Sequence, residues 1–211
     1  MKKVLIFLPF LFVVVSCVVT STDYKNKFSI GPHFKKGESV TFGQIRQQGQ
    51  SIIIEDFKIW LFNAFLECEI KLHHLENFQT LFKKEKLNLD NIDQVDTMLY
   101  QKIFDIAQTD YLIVFSIADT YSNKVVSSSS EYDSKSGITT LNEDYGSGAK
   151  LTFHIVDLKY QKFLKTLDVK VTENNFEVEG HEFDNTSGDS SLKKALVKGM
   201  KKILKEGSCK K

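Results

Sequence analysis

Hydrophobic positions divide the chain into a short apolar run at its start and a much longer region of mixed pattern. The first run, Val4–Val15, holds twelve residues without a charge and follows the basic start Met1-Lys2-Lys3. A helix that crosses a bilayer needs about 20 apolar residues, whereas the apolar part of a secretory signal has about 7–15. The pattern therefore predicts an export signal over residues 1–16 rather than a membrane span.

The end of this run, Val14-Val15-Ser16-Cys17, resembles the lipobox of bacterial lipoproteins. In that motif a small residue precedes a cysteine that receives diacylglycerol and a fatty acyl chain such as palmitate. We therefore predict that Cys17 is the lipid anchor; the alternative is a plain secretory signal that is cut nearby, with Cys17 incidental. The residues after it are polar and aperiodic, so 17–35 is interpreted as the lipidated cysteine and a flexible tether.

Alternation and helical spacing predict the elements of the first half of the folded part. Ser39–Ile45 alternates apolar and polar residues and is predicted to be the first strand. Ile53–Cys68 has helical spacing but is apolar nearly all round, so we expect a sheet and another helix to cover it on two sides. Glu69–Leu75 is predicted to be a strand, and Asn77–Leu87 a short helix. The inward residues of this short helix are predicted to be Phe78, Leu81 and Phe82.

The middle of the chain is predicted to hold a helix and the central strand. Asp93 is predicted to be the N-cap of the helix, which ends near Gln108. Its buried residues are predicted to be Val95, Met98, Leu99, Ile103, Ile106 and Ala107. Tyr111–Ala118 is the most apolar segment after the export signal and does not alternate, which is typical of a strand that is covered on both faces.

Two polar stretches, Asp119–Ala149 and Glu173–Ser190, flank the remaining predicted strands. The first stretch is interpreted as an extended hairpin. Lys150–Val156 and Lys162–Thr172 are separated by a short turn, so they should form an antiparallel hairpin. Ser191–Glu206 has one apolar face and is predicted to be the last helix.

The order of these elements is that of a single α/β domain, a mixed β-sheet flanked by helices, which we place over residues 36–208. A content of 42% hydrophobic and 26% charged residues is normal for a globular domain. Lys and Arg number 28 against 27 Asp and Glu. This balance argues against a nucleic-acid partner, because such binding needs a clear basic excess.

The three cysteines are too few and too scattered for a disulfide scaffold. Cys68 and Cys209 end two predicted helices that could pack side by side. In an oxidising periplasm they could form a disulfide; two free thiols are the alternative.

No group of residues has the pattern of a catalytic or metal site. His73 and His74 are adjacent, so on a strand they point to opposite faces. Ser127–Ser130 does not lie in the G-x-S-x-G motif of a strand-to-helix turn, and the acidic stretch after Thr172 lacks the pattern of a calcium loop. We therefore expect no enzymatic activity, no metal and no cofactor.

The central part of the chain also carries a family resemblance. A helix with the sequence LFNAFLE is followed by a strand and a helix, and Ala107, Asp110 and Tyr111 form an Ala-x-x-Asp-Tyr step into the central strand. Asp157–Leu164 stands where the family has a hairpin turn, and a final helix closes the pattern. In these features Phe57–Ser116 resembles the core of CsgG-like proteins, which include the curli secretion channel, the penicillin-binding-protein activator LpoB and the N-terminal domain of TolB. The resemblance implies a periplasm-facing domain that is attached to a membrane and binds protein partners.

We therefore hypothesise a non-enzymatic envelope lipoprotein with an accessory or assembly role, anchored to the outer membrane and facing the periplasm. Its partners would be an envelope protein and the membrane at its lipid anchor, and the chain could also form a homo-oligomer. The polar stretches Asp119–Ala149 and Glu173–Ser190 are the predicted contact surfaces, because loops on a rigid scaffold commonly carry function. The alternative is a lipoprotein that binds a lipid or another small ligand in an apolar pocket between sheet and helices.

Overall fold

The computed structural model describes residues 20–27, 31–45, 55–94, 96–133, 138–174, 176–178, 181–183 and 187–207. The strands within these residues are β1 (Thr20–Lys27), β2 (Ser39–Gln44), β3 (Lys71–His74), β4 (Tyr111–Asp133), β5 (Ile138–Asp157), β6 (Lys162–Asn174), β7 (Phe176–Val178) and β8 (His181–Phe183). The α-helices are α1 (Glu55–Glu67), α2 (Gln79–Lys84), α3 (Thr97–Ala107) and α4 (Gly188–Glu206). A 3₁₀-helix, Leu75–Phe78, joins β3 to α2.

Six strands form one mixed sheet in the order β1-β6-β5-β4-β2-β3. Strand β2 is parallel to both of its neighbours, β3 and β4, whereas the pairs β4–β5, β5–β6 and β6–β1 are antiparallel. Strands β7 and β8 pair with each other in a separate small sheet. The predicted single α/β domain, a mixed sheet flanked by helices, is confirmed.

The core lies on both faces of this sheet. Phe57, Leu61 and Phe65 of α1 pack into one cluster with the buried residues of α4. Phe82 of α2 and Tyr100 of α3 belong to the cluster on the other face. The central strand β4 serves both clusters, as the unbroken apolar pattern of its first residues predicts. Ile113 and Phe115 belong to the cluster with α1 and α4. Leu112 and Val114 belong to the cluster with α2 and α3.

One glycine is needed where the second face is closed. A Cβ atom on Gly43 of β2 would lie 2.1 Å from the Cβ of Leu75. Only glycine allows the 3₁₀-helix to approach the strand this closely, because a contact of that length would force the backbone apart. This close approach positions Leu75, which is buried in the second cluster.

Three local predictions about helices need correction. The N-cap of α3 is Asp96 and not Asp93, because the Asp96 carboxylate accepts from the N–H groups of Met98 and Leu99 at 3.0 and 3.1 Å. Met98 is 72% exposed rather than buried, since it lies on the side of α3 opposite to the buried Tyr100. Leu81 is 46% exposed, because α2 has only six residues and turns one narrow face inward.

Strand β1 lies inside the segment 17–35, which the sequence analysis assigns to a tether. Its eight residues pair with β6 from Thr20↔Glu173 to Lys27↔Thr166. The strand forms an edge of the sheet, and its described side chains are exposed or only partly buried. Polar residues are tolerated there because these side chains contribute little to the core. The prediction of a tether is therefore wrong for these eight residues, which form an edge strand.

Candidate functional site

The predicted site cysteines are only partly within the described residues. Cys17 and Cys209 lie outside the described residues. The structure therefore tests neither the lipid anchor nor the predicted disulfide. Cys68 follows α1, is half-buried, and its Sγ lies 3.1 Å from the carbonyl oxygen of Ala64.

Phe34 brings the ends of α1 and α4 to the same place. Its N–H donates to the carbonyl oxygen of Gly207 at 3.1 Å, and its ring centroid lies 6.3 Å from that of Phe65. Gly207 follows α4, and Phe65 lies in the last turn of α1. The described residues therefore put Cys68 near the end of the helix that precedes Cys209, and the pairing itself stays a prediction.

The residues of the Ala-x-x-Asp-Tyr step have structural roles. The Asp110 carboxylate accepts from the N–H and the hydroxyl of Ser39 at 2.8 and 2.9 Å, which joins the start of β2 to the start of β4. The Tyr111 hydroxyl donates to the carbonyl oxygen of His33 at 3.2 Å. Burial of its phenol, with Glu38 and Asp157 nearby, raises the pKa of Tyr111. These groups hold the sheet together and need no substrate to explain them.

Two ion pairs, each with one buried member, join α4 to β6. The Glu173 carboxylate is 1% exposed, accepts from the Ser191 hydroxyl at 2.8 Å and contacts the Lys194 ammonium group. At the other end of the helix, Lys165 pairs with Glu206. Each buried charge has a partner of opposite sign, as a buried charge requires, so these pairs fasten the helix to the sheet.

An unusual surface lies on α1. Its inward residues Phe57, Leu61 and Phe65 are fully buried, but three large apolar residues on the outer side remain in solvent. The exposed fractions are 61% for Ile59, 51% for Phe62 and 61% for Leu66. The spacing of three and four residues puts these three on one stripe of the helix, and we call them the α1 stripe. The sheet and α4 cover this helix as expected, but within the described residues neither of them covers the α1 stripe.

The α1 stripe adjoins the open edge of the sheet. Among the strands of the described residues, β3 is the last of the sheet and pairs with β2 on one side, which leaves its other side open. A hollow of about 460 Å³ beside it is lined by Phe62, Leu66 and Leu72, among others, and a second of about 390 Å³ by Ile59, Phe62 and His74, among others. An edge strand offers unpaired N–H and C=O groups, so apolar and hydrogen-bonding surfaces lie side by side here.

The first predicted contact surface is a long hairpin arm. Beyond the pair Lys124↔Gly146 and as far as Asp133↔Ile138, strands β4 and β5 pair only with each other among the described residues, because β6 ends opposite Gly146. At about 3.3 Å per residue the arm projects by about 30 Å. Residues 124–146 include four acidic residues and two lysines. The second predicted surface, Glu173–Ser190, holds the end of β6, strands β7 and β8 and the start of α4, with the rest outside the described residues.

Neither a metal cluster nor a membrane-spanning helix occurs in the described part of the chain. No three His, Cys, Asp or Glu side chains of these residues lie together in a way that could hold a metal ion. None of the helices found there is long and apolar enough to cross a membrane.

Comparisons with known proteins give likenesses of shape only. No protein-family model and no curated protein matches the chain. The PelC dodecamer from Paraburkholderia phytofirmans gives a TM-score of 0.44 at 7% identity, covering 90% of this chain and 100% of that chain. Lipoprotein GNA1162 from Neisseria meningitidis gives a TM-score of 0.37 at 13% identity, covering 80% of this chain and 98% of that chain. A neuraminyllactose-binding hemagglutinin homolog from Helicobacter pylori gives a TM-score of 0.38 at 15% identity, covering 84% of this chain and 90% of that chain. The resemblance to CsgG-like proteins stays a prediction.

Proposed function

We propose that this chain is a non-enzymatic envelope lipoprotein, anchored through Cys17, that binds a protein partner through the α1 stripe and the open edge of β3. The observation that carries the proposal is the exposure of Ile59, Phe62 and Leu66 on a helix whose opposite face is fully buried. Apolar surfaces of this kind, rimmed by polar residues, are typical of protein–protein contacts. Phe62 occupies the centre of the stripe, where the residues that dominate binding are commonly found.

The neighbouring charges suit an envelope partner that meets this face from the side of β3. Lys58 and Lys71 border the two hollows, and Glu69 and Glu76 lie beside them. Such a mixed polar rim around an apolar centre is the usual anatomy of a protein interface. The partner would add backbone hydrogen bonds to the free edge of β3 and bury the stripe at the same time.

The test compares Phe62→Lys with Asn63→Lys. Asn63 is also exposed on α1 but lies outside the stripe, so the control adds the same charge one residue away. The mature protein would be immobilised and incubated with detergent-solubilised envelope of the cells that produce it, and bound proteins would be identified by mass spectrometry. We expect a protein that is retained by the native chain and by Asn63→Lys but lost with Phe62→Lys.

The two variants should unfold at the same urea concentration as the native chain, because both positions are exposed. A partner that Phe62→Lys retains at the native level would show that the stripe is not the contact surface. If no protein binds the native chain specifically, the proposed function fails.

The hairpin arm is the second proposed contact surface. A free two-stranded hairpin has little stability in water, so a 30-Å arm gains most from a partner that packs along it. Residues 125–145 can be replaced by an Asn-Gly turn, which would join the paired positions Lys124 and Gly146 directly. Loss of the partner in this variant, with unchanged unfolding of the domain, would assign the arm to the same interface.

A further inference from the structure

The last helix concentrates positive charge in a chain whose charges otherwise nearly balance. Between Gly188 and Glu206, α4 has six lysines and two acidic residues, whereas the whole chain has 28 basic and 27 acidic residues. The apolar side of α4 packs on the sheet, so the lysines lie on its outer side. A basic face on an amphipathic helix is typical of a membrane surface or of another anionic partner.

Three of these lysines form a row along the helix. The spacing of three and four residues puts Lys198, Lys201 and Lys205 on one stripe, and we call them the α4 row. Lys201 and Lys205 are exposed, and no carboxylate of the described residues pairs with any of the three. Like charges at this spacing repel each other and destabilise a helix. An anionic surface on the row would remove this repulsion.

The α4 row lies beside β1, the strand that follows the predicted anchor. The Lys198 ammonium group donates to the Thr22 hydroxyl. Next to the row, the Nζ of Lys202 lies 4.7 Å from the ring centroid of Tyr24. Strand β1 begins three residues after Cys17, which puts its start at most about 11 Å from an acylated cysteine. An anchor at this position therefore brings the row close to the surface of the bilayer.

We propose that the α4 row lies on the anionic phospholipid headgroups of the bilayer that holds the anchor. The proposal rests on the proposed anchor at Cys17 and adds to it an orientation of the domain. Acyl chains hold a protein at a membrane but leave it free to turn, whereas a row of lysines about 10 Å long attracts phosphate groups on one side of the domain only. Each lysine near an anionic surface strengthens binding about fivefold.

The hairpin arm favours the same orientation. Residues 124–146 have four acidic residues and two lysines, so an anionic surface repels the arm while it attracts the α4 row. The end of the sheet that carries the arm stays close to the bilayer, and the domain leans toward its α4 side. Strand β3 forms the opposite edge of the sheet from β1, so the α1 stripe and the open edge of β3 stay free for a protein partner.

The probe is a vesicle of phosphatidylglycerol and phosphatidylcholine in equal amounts, and sedimentation measures the bound protein. Cys17→Ser in the mature chain removes the acyl groups, so that only the folded domain binds. We expect this protein to bind the mixed vesicles but not vesicles of phosphatidylcholine alone, with an affinity that falls steeply as the salt concentration rises. In this background, Lys201→Gln together with Lys205→Gln should lower the affinity by about tenfold or more. Lys198 is left in place because it joins α4 to β1.

Two further pairs of exchanges separate the row from total charge. Lys83→Gln together with Lys84→Gln removes the same charge from α2, on the other face of the sheet, and should leave the affinity nearly unchanged. Lys201→Arg together with Lys205→Arg keeps the charge and should bind as the native lysines do. All four lysines are exposed, so every variant should unfold at the same urea concentration as the parent protein.

Equal binding to both kinds of vesicle, the absence of saturable binding to the mixed vesicles, or an equal loss of affinity in the α2 pair would overturn the proposal. So would a fall in the mass of the protein without vesicles when the row is changed, because the row would then hold the acidic arm of a second copy. Detergent partition tests the anchor and partner retention tests the α1 stripe, so failure of this proposal is distinguishable from failure of the proposed function.

Discussion

Tyr100 illustrates how a single side chain holds a segment that has no regular structure. Its ring is fully buried, and its hydroxyl lies within hydrogen-bonding distance of the carbonyl oxygens of Ile92 and Gln94, at 3.0 and 3.1 Å. Burial, reinforced by the carboxylates of Asp93 and Asp96, raises the pKa of Tyr100 from 10.0 to about 12. The folded state therefore keeps this proton at pH values where the unfolded chain loses it.

Tyr100→Phe should lower the free energy of unfolding near neutral pH by about 0.5–1.5 kcal/mol, because the buried carbonyl group of Ile92 and the partly buried one of Gln94 lose the donor that they share. The native protein should also lose stability as the pH rises from 10.0 to about 12, since ionisation of Tyr100 then favours the unfolded state. The variant should lose less over that range, and Tyr111, whose pKa is also raised, accounts for part of the remainder. Urea unfolding at neutral and alkaline pH measures both effects.

Tyr132→Phe is the control, because this residue is 66% exposed on the hairpin arm and its loss should leave the unfolding free energy unchanged. If Tyr100→Phe showed the full alkaline loss of the native protein, the buried phenol would not be its source.

At the scale of elements, the sequence predicts those strands and helices whose burial follows from their own residues. Tyr111–Ala118 is apolar without alternation and lies in a strand covered on both faces, and the helical spacing of α1 and α4 is confirmed. Strand β1 could not be predicted in this way, because an edge strand of polar residues depends on β6 for its pairing. The β5–β6 hairpin was predictable since its strands alternate and its turn is short.

The candidate sites were less predictable than the elements. The pattern shows that α1 is apolar nearly all round, but it cannot show which side another element leaves uncovered, so the exposure of Phe62 required the fold.

The N-cap of α3 gives a test at this scale, because two aspartates three residues apart compete for the role in the sequence. Asp96→Ala should lower the free energy of unfolding by about 1 kcal/mol, since the N–H groups of Met98 and Leu99 lose their acceptor. Asp93→Ala should have little effect, because Asp93 is exposed and makes no cap. Urea unfolding of both variants measures the difference. Equal losses in the two variants would mean that general charge near the helix end, and not the cap, stabilises α3.

At the scale of the whole molecule, the two ends of the sheet have different features. One end carries the start of β1 and the base of the hairpin arm. The other end carries Cys68 and the end of α4, which meet at Phe34. If Cys17 is acylated, Thr20 lies at most about 11 Å from it along an extended chain. The end with the hairpin arm would then face the membrane.

The predicted disulfide would staple the opposite end. Reduction of a Cys68–Cys209 bridge should lower the free energy of unfolding by about 2–4 kcal/mol, because the unfolded chain regains the freedom that the bridge removes. Cys68→Ser should reproduce the loss and should no longer respond to reductant. Mass analysis of the mature protein after thiol alkylation, with and without reduction, counts the free thiols. Two alkylated thiols at Cys68 and Cys209 without reductant would exclude the bridge.

The anchor determines whether these two ends have a fixed relation to a bilayer. Cys17→Ser removes the acyl acceptor and should shift the protein from the detergent phase to the aqueous phase of a phase-separating detergent, with loss of the mass of the acyl groups. Cys209→Ser leaves the boundary cysteine in place and should stay in the detergent phase. Retention of Cys17→Ser in detergent with an unchanged mass increment would show that another group holds the chain. The short distance between position 17 and β1 would then no longer orient the domain, and the hairpin arm and the α1 stripe would have to be judged as surfaces of an untethered protein.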